Sequence, residues 1–169
     1  LNASSVQSDA KKINKVVFGK SSIEAGDEKT LMFHKKSPNN LNLAPWNLSK
    51  RYQASLNLIV CEHTLEFMTT MEVDSCLADW HRALAVGGKV SLLVTNTDYF
   101  AKIWLEAEWT EADLRNPDSP SRISRSGLYG NQSKGNPKLE NYDPFYSDVV
   151  KTPFNEKYLS FLLLRAGFE

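Results

Sequence analysis

The stretch between residues 56 and 96 limits the possible folds more than any other part of the chain. An apolar run at 56–61 is followed by a polar turn at 62–66, a helical stretch, and a second apolar run at 90–94. Strand, loop, helix and strand in that order form the unit of a parallel sheet, in which functional loops lie at the carboxyl ends of the strands. The sequence therefore predicts an α/β fold.

The helix between the two strands is predicted at about 74–86. Asp74 stands where an N-cap is expected, and Gly87 can adopt the left-handed conformation that ends a helix. Apolar residues recur along this stretch at the three- and four-residue spacing of one helix face: Val73, Leu77, Trp80 and Leu84. We expect this face, with Trp80 at its centre, to pack against the sheet.

Two motifs lie in this region, one before the predicted helix and one that covers its second half and the start of the next strand. The first spans residues 56–67 and contains the tripeptide Leu-Glu-Phe, and the second spans 77–90 and contains a glycine pair. Together they resemble the central half of class I S-adenosylmethionine-dependent methyltransferases. In that family an acidic residue opens the fourth strand, Leu-Glu-His follows it, and Arg-Val-Leu-Lys-Pro-Gly-Gly precedes the fifth strand. Here Asn57 replaces the acid, Phe67 the histidine and Val86 the proline.

The resemblance implies a Rossmann-like, mostly parallel sheet with helices on both faces, in one domain that spans residues 1–169. The motif at 164–168, at the end of a predicted last helix, resembles the Leu-x-x-Ala-Gly-Phe that precedes two final antiparallel strands in the family. Since no such strands follow, either the chain is a fragment or its sheet lacks them. The apolar runs predict parallel strands at Lys15–Phe18, 31–33, 56–61 and 89–95, with a short further strand at 41–43.

The resemblance also implies S-adenosylmethionine as the cofactor. Gly19 and Ser21, after the first strand, would line its methionine end, where the family has a Gly-x-Gly loop because backbone must approach the ligand. His34 stands where the family has an acid for the ribose, although a neutral imidazole accepts only one hydrogen bond. Asn42 would contact the adenine edge, with Asn47 or a plain turn role as alternatives, and Glu62 would lie beside the transferred methyl group.

His63 is the candidate catalytic residue. It is the only base in its loop that titrates near neutral pH, and it would deprotonate a hydroxyl acceptor on a small molecule or sugar. The family selects its substrate after the fifth strand, where residues 115–150 are rich in Pro, Gly, Ser and Asn and predict an irregular insertion or lid. Candidate substrate contacts there, which could equally be solvated or packed, are Arg122, Arg125, Tyr129, Tyr142 and Tyr146.

Composition excludes several functions. Lys plus Arg and Asp plus Glu number 20 each, so no net field favours general nucleic-acid binding. We expect a cytoplasmic protein without a membrane partner, because no apolar run reaches about eighteen residues and no signal peptide precedes the first strand. Cys61 and Cys76 have no zinc spacing, and His63-x-x-Glu66 lacks the second histidine of a zinc motif, so no metal site is predicted.

Two functions from different classes remain open. The first is methyl transfer to a small molecule or sugar, in which the protein holds donor and acceptor in line. The second is a non-catalytic binding or scaffold domain that keeps the fold and has lost the cofactor site. The second follows from the single glycine at Gly19 and the missing acid at His34. Buried free thiols are expected at both cysteines, with a nucleophile at Cys61 as the alternative. The sequence does not indicate an oligomeric state.

Overall fold

A parallel sheet, with four strands among the described residues, forms the centre of the fold. The computed structural model describes residues 15–18, 30–33, 44–143 and 148–169. Each neighbouring pair of strands in the sheet is parallel, and the strand order is β2-β1-β3-β4. This arrangement confirms the predicted α/β fold, while the predicted strand at 41–43 lies outside the described residues. The strands are β1 (Lys15–Phe18), β2 (Thr30–Phe33), β3 (Leu56–Glu62) and β4 (Leu84–Leu93).

The helix that crosses from β3 to β4 starts earlier than predicted. This helix, α2, spans Thr70–Ala83, and its N-cap is Thr69. The Thr69 hydroxyl accepts a hydrogen bond from Glu72 N at 3.3 Å, and the Glu72 carboxylate accepts one from Thr69 N at 2.7 Å. Such a capping box satisfies two backbone donors at once, which a lone Asp74 could not do. Asp74 therefore lies inside the helix, and its assignment as N-cap was wrong.

The glycine pair lies in strand β4 and does not end the helix. Leu56 pairs with Leu84 and Leu58 with Lys89, so β3 advances two residues while β4 advances five. Gly87 has φ +76° within the extra residues of this bulge, and a Cβ at Gly88 would lie 2.9 Å from the Leu56 carbonyl oxygen. The bulge therefore requires a positive φ and a close backbone approach, which glycine permits.

The apolar face of α2 packs against one face of the sheet, as the periodicity predicts. Trp80 is fully buried, stacks on Phe18 with ring centroids 4.9 Å apart, and donates from Nε1 to the Pro45 carbonyl oxygen at 2.9 Å. Val17 and Val60 are also buried, and strand alternation places them on the opposite face. The centre of the sheet is therefore covered on both sides.

The described part of the chain forms five further α-helices. The last, α6, confirms the prediction: Asn155 caps it by accepting from Tyr158 N at 2.8 Å, and Gly167 ends it with φ +100°. At the start of α3 the cap is Asn96, whose side chain accepts from Asp98 N at 3.1 Å. The helices are α1 (Ser49–Tyr52), α3 (Thr97–Glu106), α4 (Glu111–Arg115), α5 (Pro120–Tyr129) and α6 (Glu156–Ala166).

Part of the segment predicted to be irregular is helical. Helix α5 begins after Ser119, whose side chain accepts from Arg122 N, and Pro120 occupies its first turn. Proline is favoured at that position because the helix leaves the amide there unpaired. The composition does not exclude a helix here, since Pro120 lies at its first position and Gly130 follows its last residue. The role of residues 115–150 as a lid stays a prediction.

The described helices are short relative to a membrane. The longest, α2, has 14 residues. Within the described ranges, no helix combines the length and apolar character that a bilayer-spanning segment requires.

Candidate functional site

The carboxyl edge of the sheet contains the place where the strand order reverses. From β1 the chain adds β2 on one side and β3 on the other. Open parallel sheets bind ligands in the crevice beyond such a reversal. In register, Phe18 at the end of β1 pairs with Cys61, and Glu62 then ends β3. One side of the predicted crevice is therefore described, whereas Gly19 on the other side lies outside the described residues.

His63 follows β3 with an unusual backbone conformation. Its φ is +44°, in the left-handed region that few residues other than glycine adopt. Its amide donates to the Leu93 carbonyl oxygen at 2.8 Å, which ties it to the end of β4. The His63 side chain is 57% exposed. A strained backbone that presents an imidazole to solvent at the carboxyl edge of a parallel sheet is a feature typical of functional sites.

A buried carboxylate lies directly behind His63. Residues Leu65–Phe67 form a 3₁₀ turn, which brings Glu66 back toward the strand ends. Glu66 is only 2% exposed, and its Oε1 lies 3.1 Å from Nδ1 of His63. The same oxygen accepts a hydrogen bond from Thr95 Oγ1 at 3.0 Å. The other oxygen, Oε2, is buried and has no hydrogen-bond partner among the described residues.

The chain before α6 holds this turn in place. The Glu66 carbonyl oxygen accepts hydrogen bonds from Lys151 N at 2.7 Å and Thr152 N at 3.2 Å. The buried Thr152 hydroxyl donates to the Met68 carbonyl oxygen at 2.7 Å. A segment more than eighty residues away in sequence therefore fixes the position of Glu66.

Tyr129 is connected to this site through the same segment. Its carbonyl oxygen accepts from Val150 N at 3.2 Å, one residue before Lys151. Its ring packs edge-on against Trp104 at 5.6 Å, and Trp104 contacts Trp109 at 4.2 Å. The end of α5 is thus two hydrogen-bonded steps from the Glu66 turn. The predicted substrate role of Tyr129 stays a prediction.

The two predicted substrate arginines lie on the same helix as Tyr129 and are both exposed. Arg122 donates from its guanidinium to the Leu114 carbonyl oxygen at 3.5 Å. No described contact joins Arg122 or Arg125 to His63 or Glu66. The predicted cofactor contacts Gly19, Ser21, His34 and Asn42 lie outside the described residues, and Glu62 lies half-buried at the end of β3.

Both cysteines are buried free thiols, as expected. Burial, assisted by the nearby Glu66 carboxylate, raises the pKa of Cys61 to about 12. Burial also raises the pKa of Cys76. A thiol that stays protonated at neutral pH is a poor nucleophile, so the arrangement disfavours Cys61 as the reacting group. Among the described residues, no three His, Cys, Asp or Glu side chains come together as a metal site.

Sequence reasoning missed Glu66 and Thr95 as site residues. The spacing His63-x-x-Glu66 was a usable signal, because residues three apart face the same side of a helical turn. Thr95 carries no comparable signal, since its contact with Glu66 spans 29 residues and depends on the register of β3 with β4.

Comparisons of this chain with protein-family models, with curated proteins and with solved structures found no match.

Proposed function

We propose that this protein transfers a methyl group from S-adenosylmethionine to a small molecule or a sugar, with His63 as the base that takes the acceptor's proton. The observation that carries the proposal is the position of His63. Its imidazole is exposed, its backbone is left-handed, and a buried carboxylate lies behind it at the carboxyl edge of a parallel sheet. The motifs at 56–67 and 77–90 supply the reaction class by resemblance.

The sheet supports the same proposal. Four parallel strands, with the order reversed between β1 and β3, are compatible with a Rossmann-like arrangement. We place the cofactor across the carboxyl ends of these two strands. Gly19 and Ser21 would contact its methionine end, His34 its ribose, Asn42 its adenine, and Glu62 the region of the methyl group.

The described residues on this edge fit a cationic ligand. Glu62 ends β3, and Glu66 lies in the turn that follows it. One carboxylate oxygen of Glu66 is buried without a partner among the described residues. Negative groups at this edge favour a positively charged ligand. When bound, S-adenosylmethionine supplies a methyl group on positively charged sulfur, which leaves as a neutral thioether.

The chain's own residues would handle the proton. Nε2 of His63 accepts it from the acceptor hydroxyl as that oxygen bonds to the methyl carbon, and the imidazole becomes an imidazolium. The Glu66 carboxylate, 3.1 Å from Nδ1, stabilises this positive charge. Since the His63 side chain is 57% exposed, the proton then passes to water. General base catalysis of this kind contributes roughly 10²- to 10⁴-fold.

Calorimetric titration of the protein with S-adenosylmethionine and with its demethylated product tests the proposal. We expect the parent chain to bind both, and Gly19→Val to abolish binding because a branched side chain would stand where backbone must approach the ligand. Circular dichroism of both proteins establishes that they are folded. A folded parent chain that binds neither compound would overturn the proposal in favour of the scaffold alternative.

A second arm examines the base. Demethylated product is measured with a panel of small hydroxyl compounds and sugars as acceptors. We expect His63→Gln to keep cofactor binding and to lose roughly 10²- to 10⁴-fold in kcat. Arg125→Gln, which changes an exposed residue on α5, tests the predicted substrate contact and should raise KM with little effect on kcat. Full activity of His63→Gln would exclude His63 as the base.

A further inference from the structure

We propose that Glu66 is a positioning residue that holds His63 as the tautomer with its proton on Nδ1, so that Nε2 is free to accept a proton. The role of His63 as a base rests on the proposed function. The tautomer does not, because it can be measured in the free protein without cofactor or acceptor.

The hydrogen bonds around Glu66 set the direction of the contact. Its Oε1 already accepts from the Thr95 hydroxyl at 3.0 Å, and Nδ1 of His63 lies 3.1 Å from the same oxygen. A carboxylate has only acceptor positions, so Nδ1 must donate. A neutral imidazole carries one ring proton, which leaves Nε2 with a free lone pair.

The position of the carboxylate is fixed from several sides. The Glu66 carbonyl oxygen accepts from Lys151 N and Thr152 N, which holds the backbone of the 3₁₀ turn, and the carboxylate itself accepts from the Thr95 hydroxyl. At 2% exposure the group cannot relax into solvent. A carboxylate held in this way fixes both the tautomer and the orientation of its histidine, as an outer partner does for a metal-binding imidazole.

The burial of Glu66 carries a cost that packing alone does not explain. Its Oε2 is buried and has no hydrogen-bond partner among the described residues. Burying a carboxylate with one oxygen unpaired is unfavourable, and an apolar side chain of similar volume is often neutral or stabilising at such a site. The buried Glu66 carboxylate destabilises the fold but lies beside an exposed imidazole, so its effect on that imidazole explains why it is there.

This geometry also restricts the acceptor. A neutral Nε2 removes a proton, so the acceptor is a group that carries one, and a hydroxyl fits. The proton moves from the acceptor oxygen to Nε2, while the Nδ1 proton stays in its hydrogen bond to Glu66. The resulting imidazolium is then paired with the carboxylate. Methyl transfer to an acceptor without a removable proton would not require a base, so His63 and Glu66 would not contribute to it.

The test is ¹⁵N NMR of histidine-labelled protein in the free state. The chain has three histidines, so His63→Gln assigns the signal by its loss. In the parent protein we expect a protonated Nδ1 and an unprotonated Nε2 at a pH where the ring is neutral. In Glu66→Met the contact is removed without adding a polar group, and we expect a shift toward the Nε2-protonated form that the free side chain prefers. An Nε2-protonated parent, or an unchanged tautomer in Glu66→Met, would overturn the inference.

Two variants separate geometry from burial. Glu66→Gln keeps an acceptor oxygen of the same reach and should retain the tautomer, whereas Glu66→Asp is one methylene shorter and should lose it. Glu108→Met removes an exposed carboxylate elsewhere and should leave the His63 signal unchanged. If Glu66→Met does not fold by circular dichroism, Thr95→Val takes its place. That variant removes one hydrogen bond to Oε1, and we expect a mixture of the two tautomers.

Activity gives a second readout wherever methyl transfer is detected. We expect Glu66→Met to lower kcat roughly 10- to 100-fold, the range for a residue that orients a reacting group, with little change in the KM of the acceptor. Glu66→Gln should recover part of this loss. If no transfer is found with any acceptor and the tautomers behave as expected, the proposed function fails while the positioning by Glu66 stands.

Discussion

Helix α2 and the helices between residues 97 and 129 bury very different surfaces. The fully buried residues of α2 are mostly apolar: Val73, Cys76, Leu77, Trp80 and Ala83, with Asp79. In α3 and α4 no residue is fully buried, and in α5 only Ser121 and Ser124 are. Burial of a large apolar side chain contributes about 1.5–3 kcal/mol, whereas a hydrogen bond contributes about 1 kcal/mol net. The comparison indicates that the β3–α2–β4 unit holds most of the stability.

The two regions use the same kind of residue in different ways. Trp80 in α2 is fully buried and its indole nitrogen is hydrogen-bonded. Trp104 in α3 is half-buried and packs edge-on between Trp109 and Tyr129. Regions with few buried apolar contacts open locally at a lower cost than the core. The helices from 97 to 129 are therefore expected to open more readily than the sheet unit, which holds His63 and Glu66 in place.

The largest expected effect comes from Trp80→Ala. Removing this side chain empties a large site and removes its hydrogen bond to the Pro45 carbonyl oxygen, so the free energy of unfolding should fall by about 3–5 kcal/mol. Urea denaturation followed by circular dichroism measures it. Trp104→Ala is the matched control and should cost clearly less. Equal losses in the two variants would break the comparison between the regions.

Alkaline pH should weaken the sheet unit through its two thiols. Burial raises the pKa of Cys61 to about 12 and also raises that of Cys76, so the folded protein keeps protons that the unfolded chain loses above a pH of about 8.5. The stabilisation is complete below the unfolded pKa and is lost as the pH rises toward the folded one, at about 1.4 kcal/mol per pH unit for each thiol.

Denaturation midpoints at several pH values, for the parent chain and for Cys61→Ala with Cys76→Ala, isolate this effect. Groups other than the thiols titrate in both proteins and cancel in the difference. We expect the parent to lose more free energy of unfolding than the double variant between about pH 9 and 10. Parallel pH dependences would mean that the thiols are accessible and that the core around β3 is looser than its burial indicates.

The smallest effect is expected in the outer region, from Gly127→Ala. A Cβ at this position would overlap with the Phe100 ring on α3, so the half-buried ring would have to shift. Overpacking lowers the free energy of unfolding by about 1–3 kcal/mol, and the higher helix propensity of alanine offsets up to about 1 kcal/mol of this loss. Hydrogen exchange should show faster opening of α3 and α5 with β3 and α2 unchanged, whereas Ser126→Ala, at the exposed neighbouring position, should change little. Faster exchange in α2 as well would show that the two regions open together.

The sequence by itself determined the strands, the parallel crossover and the buried face of its helix. These follow from apolar runs and from helical spacing, which act between neighbours in the chain, and the same rules located Trp80 on the buried face of α2. The boundaries of α2 shifted because Thr69 and Glu72 cap it together and because the glycine pair serves a bulge in β4. The capping box and the bulge both depend on residues close in sequence. The sequence offered Asp74 and Gly87 as an alternative start and end of the same helix, and composition did not distinguish between the two possibilities.

Only the tertiary structure decided the arrangement behind His63. Sequence reasoning proposed His63 as a base from its residue type and its position after a strand. The contact of Glu66 with Thr95 and the anchoring of its turn by Lys151 and Thr152 join segments that are 29 to 86 residues apart. Such contacts depend on strand register and on how the helices pack, and no periodic pattern encodes them. The burial of a single carboxylate beside an exposed imidazole became visible only once the chain was folded.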